Sequence, residues 1–270
     1  MSIVTIIFGP TGTGKTNFAI KLAQKLNAEI INCDMAQIYT YGALATGQIQ
    51  EKDMCGITHH LLSFLDRPAS ISVYDLRKEI ERVASSILLK GKQVILVGGS
   101  SFCIYSLFFA PYSFYDLNKD YINKEVKPAN FLINTKKDAK EMVGFAPYFS
   151  YCIKFLDISD RKAWIEGVKN RIECFFNKGL LQEVYDLPLI WKEFFIKKKF
   201  IGYYEILTHV NFQIGISTLE LQSIKDHICL RTVQYAKRQR TFARKIKRDL
   251  MSFNIPFLNY DNLDCYYEAS

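Results

Sequence analysis

No apolar run in this 270-residue chain reaches the roughly 20 residues that a membrane-spanning helix needs. No charged leader with a cleavable apolar segment stands ahead of residues 3–8, so a soluble, cytoplasmic protein without membrane contact is expected. Cysteine pairing signals are missing as well. The seven cysteines, at positions 33, 55, 103, 152, 174, 229 and 265, include no Cys-x-x-Cys pair and lie mostly in apolar stretches. That pattern indicates neither zinc nor a disulfide framework and fits buried thiols in a reducing compartment. Internal repeats are absent too. Acidic residues are lacking in one stretch above all. From Arg231 to Arg248 eight basic residues (Arg231, Lys237, Arg238, Arg240, Arg244, Lys245, Lys247, Arg248) occur with no Asp or Glu among them. With a formal charge of +8 and a pI near 9.0, this points to an acidic partner.

What the chain does have is apolar content of 49%, enough for one large α/β domain with an appendage or for two small domains. It also has a complete phosphate loop, Gly9-Pro10-Thr11-Gly12-Thr13-Gly14-Lys15-Thr16, which follows the apolar run 3–8 and opens a helical pattern over 17–26. The strand aims such a loop, its glycines let backbone N–H groups turn toward phosphate oxygens, and the helix adds its positive N-terminal end. Lys15 then neutralises the outer phosphates and the Thr16 hydroxyl holds Mg²⁺. The motif is that of nucleotide- and ATP-binding proteins, but it does not say which molecule carries the phosphates.

Strand-like runs at 3–8, 29–33 and 93–97 alternate with helical patterns at 17–26 and 73–90, the second capped by Ser72 with Asp75 three residues on. This is the rhythm of βαβ units. It predicts a parallel sheet with ligands beyond the carboxyl ends of its strands, where the phosphate loop, Asn32-Cys33-Asp34 and Gly98-Gly99-Ser100 all fall. An NTP hydrolase usually adds a Mg²⁺-holding carboxylate at a neighbouring strand end, and the run 94–97 ends in Gly-Gly-Ser instead. Asp34-Met35-Ala36-Gln37-Ile38-Tyr39 offers a carboxylate, an amide and a phenol toward one pocket, as a site for an organic acceptor would. Asp34 is either a turn or helix cap or, by its position, a general base.

Residues 112–150, rich in Tyr, Asn, Lys and Phe, show no clear period and read as loops and short helices. Helical patterns resume at 161–177 behind Asp160 and at 180–187 before Pro188. A long helix starts with the capping-box pattern Ser217-Thr218-Leu219-Glu220 and runs to about residue 250. It sets Tyr235, Phe242, Ile246 and Leu250 on one side and Lys237, Arg240, Arg244, Lys247 and Arg248 on the other. The cationic side is a solvated face or an RNA contact, and the lack of acidic neighbours favours the second.

Four blocks together resemble the tRNA dimethylallyltransferase family, the isopentenyl-diphosphate:tRNA transferases: residues 9–16, residues 34–39, Leu96-Val97-Gly98-Gly99-Ser100, and Ile201-Gly202-Tyr203 with residues 231–242. His59-His60-Leu61 and the segment 179–184 are similar in style. The resemblance covers about the first hundred and the last hundred residues. It implies an α/β, P-loop NTPase-like parallel sheet flanked by helices, with a largely helical C-terminal part. Residues 1–111 would form the core with both substrate sites, 112–150 a shortened insertion, and 151–270 the completion of the core and a basic RNA-contacting part.

The activity implied is transfer of a dimethylallyl group from dimethylallyl diphosphate to the exocyclic amine of the adenosine beside a tRNA anticodon. Asp34, Lys15, Thr16 and Ser100 would be catalytic. Gly9, Pro10, Thr11, Gly12, Thr13, Gly14, Lys15 and Thr16 would hold the donor, with Mg²⁺ on Thr16. Asp34, Met35, Ala36, Gln37, Ser100, Lys237, Arg238, Arg240 and Arg244 would meet tRNA. No obligate protein partner is implied. The chain departs from the family at Met35, where a serine is usual, at Gln48, which replaces a lysine, and at Ser100, which replaces a threonine but keeps its hydroxyl. It also lacks the family's middle segment. The remaining readings are an adenylate isopentenyltransferase acting on free AMP, ADP or ATP, a P-loop kinase of a small metabolite with Asp34 as base, and an RNA-binding remnant without turnover.

Overall fold

The computed structural model describes residues 3–109, 150–210, 212 and 215–260, and in it every pair of neighbouring strands runs parallel. Strands β1 (Ile3–Phe8), β2 (Ala28–Asn32), β3 (His59–His60), β4 (Gln93–Gly98), β5 (Ser150–Leu156) and β6 (Leu258–Tyr260) form one sheet in the order β3-β2-β4-β1-β5-β6. The expected α/β architecture with a helical C-terminal part is thus present. The two central strands, β4 and β1, are those that lead into the Gly-Gly-Ser turn and the phosphate loop, and Phe8 lies in register with Gly98. Their loops therefore leave the sheet side by side.

Period-2 alternation sorts the side chains onto two faces. Val4, Ile6 and Phe8 pack with Ile31, Leu96, Ile153 and Phe155 on one side, whereas Ile7, Ile30 and Ile95 face the other. Helix α1 (Lys15–Leu26) covers that second side with Phe18, Ala19, Leu22 and Ala23. Burial on both faces explains why all five residues of β2 are inside, including the charged Glu29, which accepts hydrogen bonds from Lys92 at 2.7 Å and lies 2.7 Å from His60 Nε2.

The caps read in the sequence are made. The Asp75 N–H donates to Ser72 Oγ at 3.1 Å ahead of helix α3 (Val73–Leu89), and the N–H groups of Lys162 and Ala163 donate to Asp160 Oδ1 at 2.7 and 3.1 Å. One-turn helix α2 (Ala43–Thr46), helix α4 (Ser101–Phe109), helix α5 (Arg161–Asn177), and the short helices α6 (Leu180–Asp186), α7 (Leu189–Lys198) and α8 (Tyr203–His209) follow in order. The last helix, α9 (Thr218–Ser252), is 35 residues long, about 52 Å, and opens with the capping box on Ser217.

Three strands had no clear sequence signal. β3 and β6 are two and three residues long, too short to show alternation, and β5 begins at residue 150, where the unorganised stretch ends. Expectations for residues 112–149 fall outside the described residues. The thiols are not uniformly inside: Cys33 and Cys103 are buried, whereas Cys55 and Cys174 are exposed because one lies in a loop and the other on the outward side of α5. Among the described residues no helix is long and apolar enough to cross a membrane.

Candidate active site

The phosphate loop is shaped by glycine at three points. A Cβ on Gly9 would lie 2.5 Å from Leu156 O, and Gly12 and Gly14 both have φ of +77°, which side-chain-bearing residues rarely adopt. Lys15 Nζ and Thr13 Oγ1 both donate to Pro10 O, at 2.5 and 2.9 Å, so the loop folds around its own ammonium. Burial pulls the Lys15 pKa down to about 8, with Asp34 opposing that shift and Arg171 adding to it. Helix α5 braces the loop from outside: Trp164 Nε1 donates to Thr11 O at 3.1 Å and Arg171 Nη1 reaches Thr11 Oγ1 at 3.4 Å.

Asp34 follows β2. Asn32 Oδ1 accepts its N–H at 3.0 Å, while Asn32 Nδ2 donates to Leu61 O at 3.0 Å. The two oxygens of Asp34 are used differently. Oδ1 caps the turn, accepting from Ala36 N–H at 3.0 Å and from Ser100 Oγ at 3.3 Å, and Oδ2 has no hydrogen bond among the described residues. Ser100 Oγ in turn accepts the Met35 N–H at 2.9 Å. The two strand ends touch at the backbone, because a Cβ on Gly98 would overlap the main chain of Cys33. Tyr235 of α9 stands on the wall of the same cavity, and burial pushes the pKa of its phenol up, so it stays neutral.

These groups border a cavity of about 470 Å³ between the sheet and the C-terminal helices. Of the residues expected to meet the acceptor, Asp34, Met35, Ala36, Ser100 and Arg238 line it, as does Thr11 of the phosphate loop. Gln37 does not. Its amide donates to Thr46 O and Gly47 O, at 3.0 and 3.3 Å, and so ties the segment after β2 to the end of α2. The Tyr39 phenol donates to Ala69 O at 3.1 Å among Trp191, Phe194 and Phe200, with its pKa pushed up to about 12 by burial. Of the set read as a recognition group, Asp34 and Tyr39 line the cavity, the latter with its phenol tied to Ala69, whereas the Gln37 amide is turned into the loop. Gln48, which replaces a family lysine, is structural too, donating to Gln37 O at 2.7 Å and Tyr39 O at 3.0 Å.

The basic face of α9 is divided. Lys237, Arg238 and Arg244 are exposed, but Arg240 Nε lies 2.6 Å from Asp157 Oδ1 and Lys247 Nζ sits 4.9 Å from the Phe155 ring centre. Lys245 has an acidic neighbour after all, Asp249 at 3.1 Å, one residue beyond the basic run. Two long side chains expected on the cationic side, one of them expected to meet tRNA, thus reach toward β5 and the residue after it.

Arg171 and Glu205 carried no signal in the sequence, whereas Glu183 and Arg231 lie in segments of the family resemblance. Arg171, on the wall of the cavity, crosses Gly47 so closely that no Cβ fits there, and Gly47 has φ of +66°. Glu183 Oε1 accepts the Ala43 N–H at 2.9 Å and its Oε2 accepts from the Tyr203 hydroxyl at 2.8 Å. The buried carboxylate of Glu205 pairs with Arg231 and accepts the Gly202 N–H at 2.7 Å, while Arg231 Nη2 also donates to Lys199 O at 2.7 Å. The motif segments 179–184, 201–203 and 231–242 meet here as one wall.

The donor set suits a hard cation held mainly by a ligand. Among the described residues no cluster of three or more His, Cys, Asp or Glu could cage a metal. The Thr16 hydroxyl in the first turn of α1 is the kind of single oxygen that Mg²⁺ accepts when diphosphate and water fill its other positions.

The family model described as IPP transferase matches residues 37–128 and 120–246. The two stretches meet inside the region set apart above as an insertion. A tRNA dimethylallyltransferase of Aster yellows witches'-broom phytoplasma is 32% identical over 275 residues, covering 92% of this chain and 91% of its own. One from Phytoplasma australiense is 30% identical over 269 residues, covering 90% and 89%. Among solved structures, a eukaryotic dimethylallyltransferase acting on tRNA superposes with a TM-score of 0.71 at 21% identity, over 98% of this chain and 76% of that one. A tRNA delta(2)-isopentenylpyrophosphate transferase from Staphylococcus epidermidis gives a TM-score of 0.67 at 23% identity, over 96% and 93%. These likenesses run along nearly the whole chain and agree with the sheet, the phosphate loop and the cavity, so the chain belongs to the IPP transferase family.

Proposed function

We propose that this protein is a tRNA dimethylallyltransferase, joining the dimethylallyl group of dimethylallyl diphosphate to the exocyclic amine of an adenosine beside the tRNA anticodon. The observation that carries the reading is the meeting of Thr11, the Asp34–Ser100 pair and Arg238 around one cavity of about 470 Å³. A phosphate loop, a carboxylate with one unused oxygen and an outlet lined by a cation are what this transfer needs.

The donor diphosphate would lie against the loop of residues 9–16, with Lys15 and Arg171 on its oxygens. The amine nitrogen forms a bond to the allylic carbon as the allylic C–O bond breaks, and that electron pair leaves on diphosphate. Asp34 Oδ2 accepts the amine proton. Such a base is worth about 10²–10⁴-fold in rate. Mg²⁺ on Thr16, when bound, would stabilise the negative charge that grows on the leaving diphosphate. The adenosine must leave its stack to reach the cavity, and Arg238 at its wall with Lys237 and Arg244 outside it would hold neighbouring phosphates.

Exposed cations on α9 beyond the cavity lining favour tRNA over a free nucleotide, which would lie within the cavity. A cytoplasmic setting would suit that substrate. The deciding experiment incubates the protein with Mg²⁺, labelled dimethylallyl diphosphate and either unmodified tRNA or AMP. Label in tRNA alone is expected. Label in AMP would make the protein a free-nucleotide enzyme, and label in neither, with ATP consumed on a small acceptor, would make it a kinase.

A further inference from the structure

Gln239 lies on the inner side of α9 and is 2% exposed. Both ends of its amide are used across the carboxyl edge of the sheet. Oε1 accepts the Thr11 N–H at 2.9 Å, and Nε2 donates to Gly99 O at 2.7 Å. These main-chain atoms belong to two loops with different duties. Thr11 lies in the phosphate loop, and Gly99 precedes Ser100, whose hydroxyl holds Asp34. Among the described residues no direct hydrogen bond joins the two loops. A Cβ on Gly99 would lie 2.5 Å from Gln239 Nε2 and 3.3 Å from Asp34 Oδ2, so amide and carboxylate meet over a residue that has no room for a side chain.

We propose that Gln239 is a positioning residue for the transfer, fixing the separation between the loop that holds the leaving group and the Ser100–Asp34 pair that receives the amine proton. The proposal rests on the transferase reading. The requirement is for one planar group that accepts on one side and donates on the other, which an amide supplies and a carboxylate does not. Gln239 also sits one residue from Arg238 and two from Lys237, so the turn of α9 offered to RNA is the turn that spaces the two loops.

The test uses the full chain, with dimethylallyl diphosphate and tRNA as substrates. Gln239→Ala is expected to lower kcat about 10²-fold with little change in either KM, since misplacement of aligned reactants costs rate rather than ground-state binding. Hydrogen exchange of the Thr11 amide should accelerate in the same variant. Gln239→Glu keeps the length. Its neutral carboxyl can donate to Gly99 O and accept from Thr11 N–H, whereas its ionised form turns an acceptor onto an acceptor. Near it are Asp34 from the end of β2, which shares the space over Gly99, and Tyr235 and Arg238 from α9; Lys15 from α1 and Arg171 from α5 act on Asp34 in turn. The kcat ratio of Gln239→Glu to wild type should therefore rise at least tenfold from pH 8.5 to pH 6.0, while the Gln239→Ala ratio stays level. Loss of folded fraction would not give that rise. Wild-type kcat in Gln239→Ala, an unchanged Thr11 exchange rate, or a level Gln239→Glu ratio would each overturn the proposal. Absence of transfer by the wild-type protein would instead overturn the transferase reading on which it stands.

Discussion

Ser100 donates its hydroxyl hydrogen to Asp34 Oδ1 across 3.3 Å and, through the same oxygen, accepts the N–H of Met35 at 2.9 Å. The ends of β2 and β4 are thereby locked to each other, and Asp34 Oδ2 remains for the cavity.

Replacing Asp34 with Asn keeps the shape and the turn bond to Ala36 but removes the proton acceptor. Turnover should fall about 10²–10⁴-fold with tRNA affinity within twofold of wild type. Full turnover in Asp34→Asn, measured by label transfer into tRNA, would remove Asp34 from the mechanism.

Ser100→Ala leaves the Met35 N–H without its acceptor and frees the Asp34 carboxylate to turn. A net loss of about 1–2 kcal/mol in folding stability is expected, together with a tenfold or larger drop in kcat. Ser100→Thr keeps the hydroxyl and should retain both within a few-fold. A Thr variant as impaired as the Ala variant would show that volume, not the hydroxyl, matters at this position.

Lys15 titrates near 8 in the folded chain against 10.5 as its ordinary value, so its charge is lost as the pH rises through about 8. Because the folded value is the lower one, the folded chain binds fewer protons between these two values. The buried ammonium therefore costs stability below about 8, and stability from this group rises with pH up to about 10.5. Diphosphate binding runs the other way, since it needs the charge. Affinity for inorganic diphosphate, measured by calorimetry, should fall from pH 7.5 to 9.5 more steeply in wild type than in Lys15→Met. Parallel profiles would place the diphosphate away from Lys15.

Two arginines four residues apart should respond differently to charge reversal. Arg244 is exposed and makes no ion pair among the described residues, so Arg244→Glu should leave stability within about 0.5 kcal/mol while weakening tRNA binding and flattening its salt dependence. Arg240 is held by Asp157 at 2.6 Å, and Arg240→Glu sets two carboxylates together. It should lower the melting temperature first. Equal melting temperatures for the two variants would mean that the Asp157 pair contributes nothing.

The parts that the sequence determined are those whose causes lie within a few neighbours. The phosphate loop, the Ser72, Asp160 and Ser217 caps, the strands that became β1, β2 and β4, and the length of α9 all depend on contacts between residues two to five apart, and such spacing is written in the chain itself. The same spacing placed Asp34 and Ser100 at strand ends, and a parallel sheet then requires that they meet. Tertiary structure alone decided which polar groups face the cavity. Gln37 has the right type at the right place, yet its amide hydrogens go to Thr46 O and Gly47 O, which only the folded loop brings near, whereas Tyr39 lines the cavity with its phenol held by Ala69. Gln239 and Thr11 are 228 positions apart, Arg171 and Thr11 160, and Glu183 and Ala43 140. No periodicity relates such pairs. They exist because both faces of the sheet are buried and packing brings α5 and α9 over the loops, where unpaired backbone groups of the phosphate loop and α2 find partners on whichever side chains the packing delivers.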